Sequence, residues 1–225
     1  DSGCKVFVTG SNANMLSREL GTHLTGRYCQ IELYPFSFPE FLKIKEVYPQ
    51  QKDFYTTTGK SILKRYFDEY VKTGGFPRYI KDPNTNYLST LYENIIYKDV
   101  VTRNKLNGER ELLEMVYYLA SNATKRFSYT SLAKTIGIKH TETVKNYLEY
   151  LENTYLLFQV MKFDWSVKKQ MNNQKKVYFI DNAIIGKVGF NATDNIGQLL
   201  ENLVFIEIKR QRKDVYYHDD GIECD

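Results

Sequence analysis

The sequence predicts a mixed α/β protein that is largely helical. A short apolar run, KVFVTG, ends in glycine, as expected of a core strand in a parallel sheet, and YCQIEL alternates as a strand does. ANMLSREL, between these two runs, predicts a helix. In SFPE, Ser37 and Glu40 match a capping box that opens the short helix EFLKI. Two long segments in the middle of the chain, LYENIIYKDVVTRNKL and ERELLEMVYYLASN, carry apolar residues at three- and four-residue spacing, which is typical of amphipathic helices. Further on, the apolar runs TYLLFQVM and VYFID flank a polar turn and indicate two strands.

The composition excludes few classes of function. The 225 residues carry a formal net charge of +4, with 42% hydrophobic and 26% charged residues, as in ordinary globular proteins. The mild positive charge permits nucleic-acid binding but does not indicate it. Cys4, Cys29 and Cys224 are far apart and predict neither a disulfide framework nor a zinc site. Without a leader or a run long enough to span a bilayer, we expect a cytoplasmic protein that does not contact membranes.

The stretch TTTGKS, residues 56–61, ends as a phosphate-binding P-loop does. The full motif needs a glycine five positions before Gly59, where this sequence has Phe54. The lead-in VYPQQKDFY is polar and contains Pro49, which does not suit a core strand. Without the first glycine the backbone N–H groups cannot turn around the phosphates. We therefore predict a helix start here.

The order of elements between residues 126 and 181 is that of a winged helix-turn-helix. A helix in YTSLAKTIGI is followed by a turn with Gly137, the helix HTETVKNYLEYLENT, and two strands around KKQMNNQKK. The start of the second helix would meet bases and phosphates, and the lysines of the turn would form the wing. The candidate DNA-binding residues are Lys139, His140, Thr141, Thr143, Lys145, Asn146, Lys168, Lys169, Lys175 and Lys176.

The same helix also carries acidic residues. Glu142, Glu149 and Glu152 would repel an approaching phosphate if they share its exposed side. Winged helices also serve as protein-docking modules, so DNA binding and protein binding both remain open.

Several segments in order resemble one protein family. VFVTGSNANMLSREL and LTGRYCQIELYPFSFPEFL resemble the second half of the AAA+ module in a group of bacterial and archaeal ATPases. That group carries a C-terminal domain of unknown function. The segments GGFPRYI, LYENIIYKDVVTRNKL, KKVYFIDNAII and QLLENLVFIEIKRQ are similar to that domain. The ends of the chain read as internal to a longer protein, so we expect a fragment.

The resemblance implies an ATPase whose P-loop, with bound ATP and Mg²⁺, precedes Asp1. Ser11 and Asn12 would lie at the tip of the sensor strand and orient the attacking water, or they only cap the next helix. Arg27 would reach the ATP of a neighbouring subunit in a homo-oligomer, with Arg18 as the alternative. Otherwise Arg27 is a surface residue paired with Glu32.

The resemblance also extends to a restriction-endonuclease-like fold in the tail. In that fold a helix glutamate, an acidic residue on a following strand and a lysine-bearing strand build a divalent-metal site. Glu201 and Asp225 match the first two positions, with Glu223 close by. The lysine-bearing strand is missing from this sequence, so we expect no DNA cleavage by this chain. Glu201 is otherwise a carboxylate stabilised near a helix N-terminus.

We thus predict four parts. Residues 1–75 are the C-terminal part of an AAA+ module, 76–125 a helical connector, 126–181 a winged helix-turn-helix, and 182–225 the start of a nuclease-like domain. The expected function is that of an AAA+ ATPase fragment, inactive alone, which acts on DNA through its winged helix. The alternatives are a non-catalytic module that binds DNA or protein, and a metal-dependent nuclease-like domain.

Overall fold

The computed structural model describes residues 5–10, 29, 31–190, 195–211, 213–219 and 223–224. This part of the chain is mixed α/β and largely helical, as predicted. The α-helices are α1 Phe38–Ile44, α2 Thr57–Thr73, α3 Pro77–Lys81, α4 Tyr87–Glu93, α5 Glu109–Ser121, α6 Tyr129–Ile136, α7 Thr141–Asn153, α8 Val167–Asn172, α9 Asn182–Val188 and α10 Ile196–Arg210. A 3-10 helix spans Gln51–Phe54 and a π-helix spans Asn94–Thr102. The strands are β1 Arg126–Phe127, β2 Leu157–Met161, β3 Lys175–Phe179, β4 His218–Asp219 and β5 Glu223–Cys224.

Helix α1 begins at a capping box, as the sequence predicts. The Glu40 carboxylate accepts hydrogen bonds from the backbone N–H of Ser37 at 2.8 Å and from its hydroxyl at 2.7 Å. These bonds lower the pKa of Glu40. Inside the helix, Phe41 is fully buried against the ring of Tyr70 on α2. The capping box thus sets where α1 begins, and Phe41 packs the helix against α2.

The TTTGKS stretch opens α2, as predicted. The Thr56 side chain accepts a hydrogen bond from the backbone N–H of Gly59 at 3.2 Å and caps the helix. A Cβ at Gly59 would lie 2.3 Å from the carbonyl oxygen of Asp53. Glycine is thus required here by a close backbone approach to the preceding 3-10 helix.

A three-stranded antiparallel sheet packs against α7, α9 and α10. Its strand order is β1–β3–β2, with Arg126 opposite Lys176 and Leu157 opposite Phe179. Since β1 is only two residues long, the far end of β3 is left without a strand neighbour on that side. Asn202 of α10 fills this gap: its side chain accepts from the Phe179 N–H at 2.7 Å and donates to the Phe179 carbonyl at 3.0 Å.

One large hydrophobic cluster holds the helices and the sheet together. It runs from Val71 on α2 to Leu199 on α10 and includes fully buried residues of α5 and α7 such as Met115 and Leu148. Residues of all four predicted parts meet in or against this cluster. The division into four parts itself stays a prediction.

The backbone around Gly75 joins distant segments. The Phe36 N–H donates to the Gly75 carbonyl at 2.7 Å, and the Gly75 N–H donates to the Asp181 carboxylate at 2.7 Å. Asp181 also caps α9 by accepting from the Ala183 N–H at 2.8 Å. From the C-terminal end of α10, Arg210 donates to the Pro35 carbonyl at 2.8 Å.

Two predicted strands are not formed. Residues 5–10 have no regular structure, and Val6 and Phe7 are 82% and 81% exposed. The described residues of YCQIEL are also irregular, with Ile31 and Leu33 exposed. An apolar β-branched run forms a strand only when another strand satisfies its backbone groups, and the described residues place none beside these two runs. The helix predicted at ANMLSREL lies outside the described residues.

Two smaller predictions also need correction. The polar segment between β2 and β3 is not a plain turn, because residues 167–172 form α8. The single helix expected over LYENIIYKDVVT changes to π-helical geometry at Asn94. There the Thr102 hydroxyl donates to the Tyr97 carbonyl five residues earlier, at 2.7 Å, which fits the wider turn.

Candidate nucleic-acid interface

Helices α6 and α7 follow one another in the chain and are joined by the short turn at residues 137–140. Gly137, with φ of +80°, ends α6 in the left-handed conformation that glycine adopts readily. Helix α7 then buries Val144, Tyr147, Leu148 and Leu151, which recur at three- and four-residue spacing. This packing leaves the opposite face of α7 in solvent.

The exposed face of α7 brings six of the predicted DNA-binding residues together. Lys139, His140, Lys145 and Asn146 are exposed, and Thr141 and Thr143 are half-buried. All six lie in the first turns of α7 or just before it. Lys145 pairs with Glu142 at 3.1 Å, an exposed ion pair that contributes little to stability.

The 162–174 connection joins β2 to β3 and contains α8. Both Lys168 and Lys169 lie on α8 and are exposed. The ring of Tyr129 links this connection to α7. The ammonium nitrogens of Lys175, at the base of the connection, and Lys145, on α7, lie 4.6 Å and 5.9 Å from its centre.

Lys175 and Lys176 do not lie on an accessible wing, which corrects the expectation from the sequence. They are 8% and 2% exposed, because both belong to β3, the central strand of the sheet. The Lys175 ammonium donates to the carbonyls of Met171 and Asn173 at 3.0 and 3.3 Å, and burial and the nearby Lys145 lower its pKa. Neither residue is therefore available to a ligand at this surface.

One of the three acidic residues on α7, Glu152, uses its carboxylate for hydrogen bonds within the protein. The Glu152 carboxylate accepts from the backbone N–H and the side-chain amide of Gln159 at 2.6 and 2.7 Å. Burial raises the pKa of Glu152. Only Glu142 and Glu149 are exposed, so the repulsion of an approaching phosphate is smaller than the sequence alone indicates.

Glu201, the first predicted metal ligand, contacts basic and hydroxyl groups. Its carboxylate accepts from the Lys176 ammonium at 3.0 Å and from the Tyr178 hydroxyl at 2.7 Å. The Glu223 side chain and Asp225 lie outside the described residues, as do Ser11, Asn12 and Arg27. Within the part of the chain that the structure describes, no group of three or more His, Cys, Asp or Glu residues is placed to hold a metal ion.

Sequence reasoning missed an aromatic cluster beside the lysines of the 162–174 connection. Phe163 makes edge-to-face contacts with Trp165 and with Tyr216, at centre-to-centre distances of 5.2 and 6.1 Å. Trp165 is 93% exposed. A tryptophan inside the polar run FDWSVKK was the available signal, since an apolar ring in a charged turn has no core to enter.

Comparison with known proteins assigns the chain to a family. Residues 1–42 match the AAA domain family, and residues 64–194, more than half of the chain, match the family described as Domain of unknown function (DUF8612). The chain therefore belongs to the DUF8612 family, and an AAA-related segment precedes the matched region in the same sequence. This confirms the relationship to AAA proteins that the sequence predicts.

Similar proteins occur in archaea and bacteria. The chain is 35% identical over 219 residues to the uncharacterized protein MJ1544 of Methanocaldococcus jannaschii, covering 94% of this chain and 48% of that protein. It is 32% identical to an uncharacterized protein of Haemophilus influenzae, covering 92% of this chain and 51% of that protein. The chain thus spans about half the length of the curated relatives it matches. No solved structure is significantly similar to it. None of the described helices is long and apolar enough to cross a lipid bilayer.

Proposed function

We propose that this chain is the DNA-binding part of an AAA-type ATPase and that it holds duplex DNA through a winged helix. The exposed cationic and polar residues at the start of α7 carry this proposal. The chain order supports it, because a helix-turn-helix is followed by two antiparallel strands, and β1, just before α6, pairs with the second of them. The 162–174 connection is then the wing.

The chemistry of the surface suits a phosphate backbone. Lys139 and Lys145 supply ammonium donors, and His140 and Asn146 supply groups that hydrogen-bond to phosphates or base edges. The N-terminus of α7 adds the partial positive charge of its helix dipole. Lys168 and Lys169 would contact the backbone beside the groove that α7 enters. Binding of this kind is driven by counterion release and weakens steeply with salt.

The ATPase part of the proposal rests on the match of residues 1–42 to the AAA domain family. ATP and Mg²⁺ would be held mainly by residues other than those of this chain, since its 225 residues contain no complete P-loop motif. Ser11 and Asn12 are proposed as the sensor residues. Arg27 is proposed to act on the ATP of a neighbouring copy in a homo-oligomer, where such an arginine stabilises the transferring phosphoryl group.

The DNA proposal is tested by fluorescence anisotropy of a labelled duplex at two salt concentrations. We expect salt-sensitive binding in which Lys139→Ala with Lys145→Ala reduces the slope of log K against log salt by about 2, at about 0.9 per phosphate contact. The matched control is Lys60→Ala with Lys72→Ala, which removes the same charge from exposed positions on α2.

Two outcomes would contradict the proposal. If the α2 variant weakens binding as much as the α7 variant, the attraction follows net charge and not this surface. If the duplex does not bind even at low salt, the exposed face of α7 is a protein-docking surface, and the protein-binding alternative replaces this proposal.

A further inference from the structure

The 162–174 connection exposes the only tryptophan of the sequence. Trp165 is 93% exposed, although burying an indole ring is strongly favourable and tryptophan is highly buried on average. Val167 and Met171, on the adjacent α8, are 69% and 65% exposed. An apolar surface of this kind, rimmed by lysines, marks an interaction site.

The base of this aromatic cluster is held in place by the backbone. The Phe163 N–H donates to the Tyr217 carbonyl at 2.8 Å, and the Tyr217 N–H donates to the Met161 carbonyl at 3.2 Å. The Tyr217 hydroxyl donates to the Gln174 carbonyl at 2.7 Å, at the far end of the connection. The backbone of Phe163 is therefore held in place, and its ring lies edge-to-face with that of Trp165 at an interplanar angle of 77°. A ring that is supported in this way loses little conformational freedom when a ligand stacks on it.

The charges around Trp165 favour a polyanion. From Trp165 to Gln174 the sequence WSVKKQMNNQ contains two lysines and no acidic residue. The preceding Asp164 uses its carboxylate to accept from the Ser166 N–H at 2.8 Å. An exposed indole next to exposed ammonium groups is the combination that binds single-stranded nucleic acid, where bases stack on aromatic rings and cations neutralise the phosphates.

We propose that Trp165 stacks on an unpaired base and that Lys168 and Lys169 neutralise the phosphates beside it. This deepens and rests on the proposed function, because it places a single-strand contact next to the duplex-binding face of α7. Tyr129 lies between the two surfaces, because its ring contacts the ammonium of Lys145 on α7 and that of Lys175, the β3 residue that directly follows the connection. The substrate class is then DNA with a junction between duplex and single strand.

A lipid surface would also attract exposed tryptophan and lysine side chains. Helices that lie in a membrane interface are usually much longer than α8, which has six residues. Stacking on a base needs only one supported ring. The geometry therefore favours the nucleic acid, and vesicle binding becomes an outcome of the test.

The test uses the fluorescence of Trp165 itself, since no other tryptophan contributes. The 225-residue chain is titrated with oligothymidine, with a duplex bearing a single-stranded overhang, and with a blunt duplex of equal length. We expect the first two to quench Trp165 strongly and the blunt duplex to quench it weakly. We expect Trp165→Ala to weaken binding of the oligothymidine by about 5- to 100-fold, measured by anisotropy, and to leave the blunt duplex unaffected.

Matched variants separate stacking from charge. Trp165→Phe keeps an aromatic ring and should restore most of the affinity, whereas Lys168→Ala with Lys169→Ala should reduce the salt slope by about 0.7 per phosphate lost. Tyr48→Ala removes another exposed aromatic side chain, far along the sequence, and should change nothing.

The outcomes distinguish this inference from the proposed function. If duplex binding depends on Lys139 and Lys145 while Trp165→Ala has no effect on single strands, the stacking site is refuted and the duplex-binding function stands. If single strands quench Trp165 but no duplex binds, the duplex-binding function fails. A blue shift with anionic vesicles, without quenching by DNA, would overturn the inference in favour of a lipid surface.

Discussion

The backbone N–H of Gly75 donates a hydrogen bond of 2.7 Å to the buried carboxylate of Asp181, 106 residues later in the chain. This contact brings together two of the segments by which the family was identified, GGFPRYI and VYFIDNAII. It requires a particular backbone at Gly74, which has φ of +72° and ψ of −165°, a combination open almost only to glycine. A Cβ at Gly74 would lie 1.7 Å from the Asp181 carboxylate.

Gly74→Ala is therefore expected to destabilise the fold by about 2–5 kcal/mol, from backbone strain plus the collision with Asp181. The free energy of unfolding in urea measures this cost. Gly137→Ala is the matched control, because Gly137 also has positive φ but a Cβ there would meet no atom within 4 Å. It should cost only about 1–2 kcal/mol. Equal losses in the two variants would show that the Gly74 contact with Asp181 is unimportant.

The second prediction concerns pH. Burial raises the pKa of Asp181 to about 7, although its two backbone hydrogen bonds and the nearby Arg210 lower it. In the unfolded chain the pKa of an aspartate is about 3.9. Between these values the folded state binds more protons than the unfolded state, so the contribution of Asp181 to stability falls as the pH rises from about 4 to about 7.

The isosteric variant Asp181→Asn should remove this component, because an amide does not titrate. Unfolding curves at a series of pH values give the slope for each protein. Asp68→Asn, which changes an exposed carboxylate on α2, should keep the slope of the original chain. If Asp181→Asn and the original chain have the same slope, Asp181 is ionised throughout the range.

The third prediction concerns Glu201, whose partner Lys176 has a side chain only 3% exposed. Glu201→Gln removes the charge that faces this buried ammonium and weakens the bond from Tyr178. We expect a loss of about 2 kcal/mol in the absence of any metal, the usual contribution of a hydrogen bond to a charged group. Glu149→Gln, on the exposed face of α7, should change stability by less than about 0.5 kcal/mol.

The same variant addresses the metal site that the sequence suggested. If Glu201 served mainly as a metal ligand, Mg²⁺ or Mn²⁺ would raise the melting temperature of the original chain and not that of Glu201→Gln. A loss seen only with metal would contradict a structural role for Glu201 as the partner of Lys176 and Tyr178.

Local signals in the sequence were enough to place most helices. The Ser37–Glu40 capping box, the helix start within TTTGKS and the turn at Gly137 each depend on a few neighbouring residues, and each is present where the sequence predicts it. The two failed strands, KVFVTG and YCQIEL, depended on neighbours that no local pattern specifies. The hydrogen bonds from the Asn202 side chain to the backbone of β3 could not be predicted either, because 23 residues separate Asn202 from Phe179.

The candidate interface was predictable in part for the same reason. Spacing on α7 separated the buried Val144 and Leu148 from the exposed Lys145 and Asn146. Spacing could not show that β3 is the central strand of the sheet, and so it could not show that Lys175 and Lys176 are buried. The pairing of β1 with β3 determines that, through contacts between residues about 50 positions apart in the sequence.

The bonds at Pro35 and Phe36 bear on how the AAA-related segment can move. Phe36 is tied to Gly75, just beyond the end of α2, and the Pro35 carbonyl is tied to Arg210 at the end of α10. A displacement of residues 35–36 must either carry the ends of both helices with it or break both bonds. Hydrogen bonds at residues 35–36 therefore connect the segment that matches the AAA domain to the ends of α2 and α10. A force on that segment is transmitted directly to these helices.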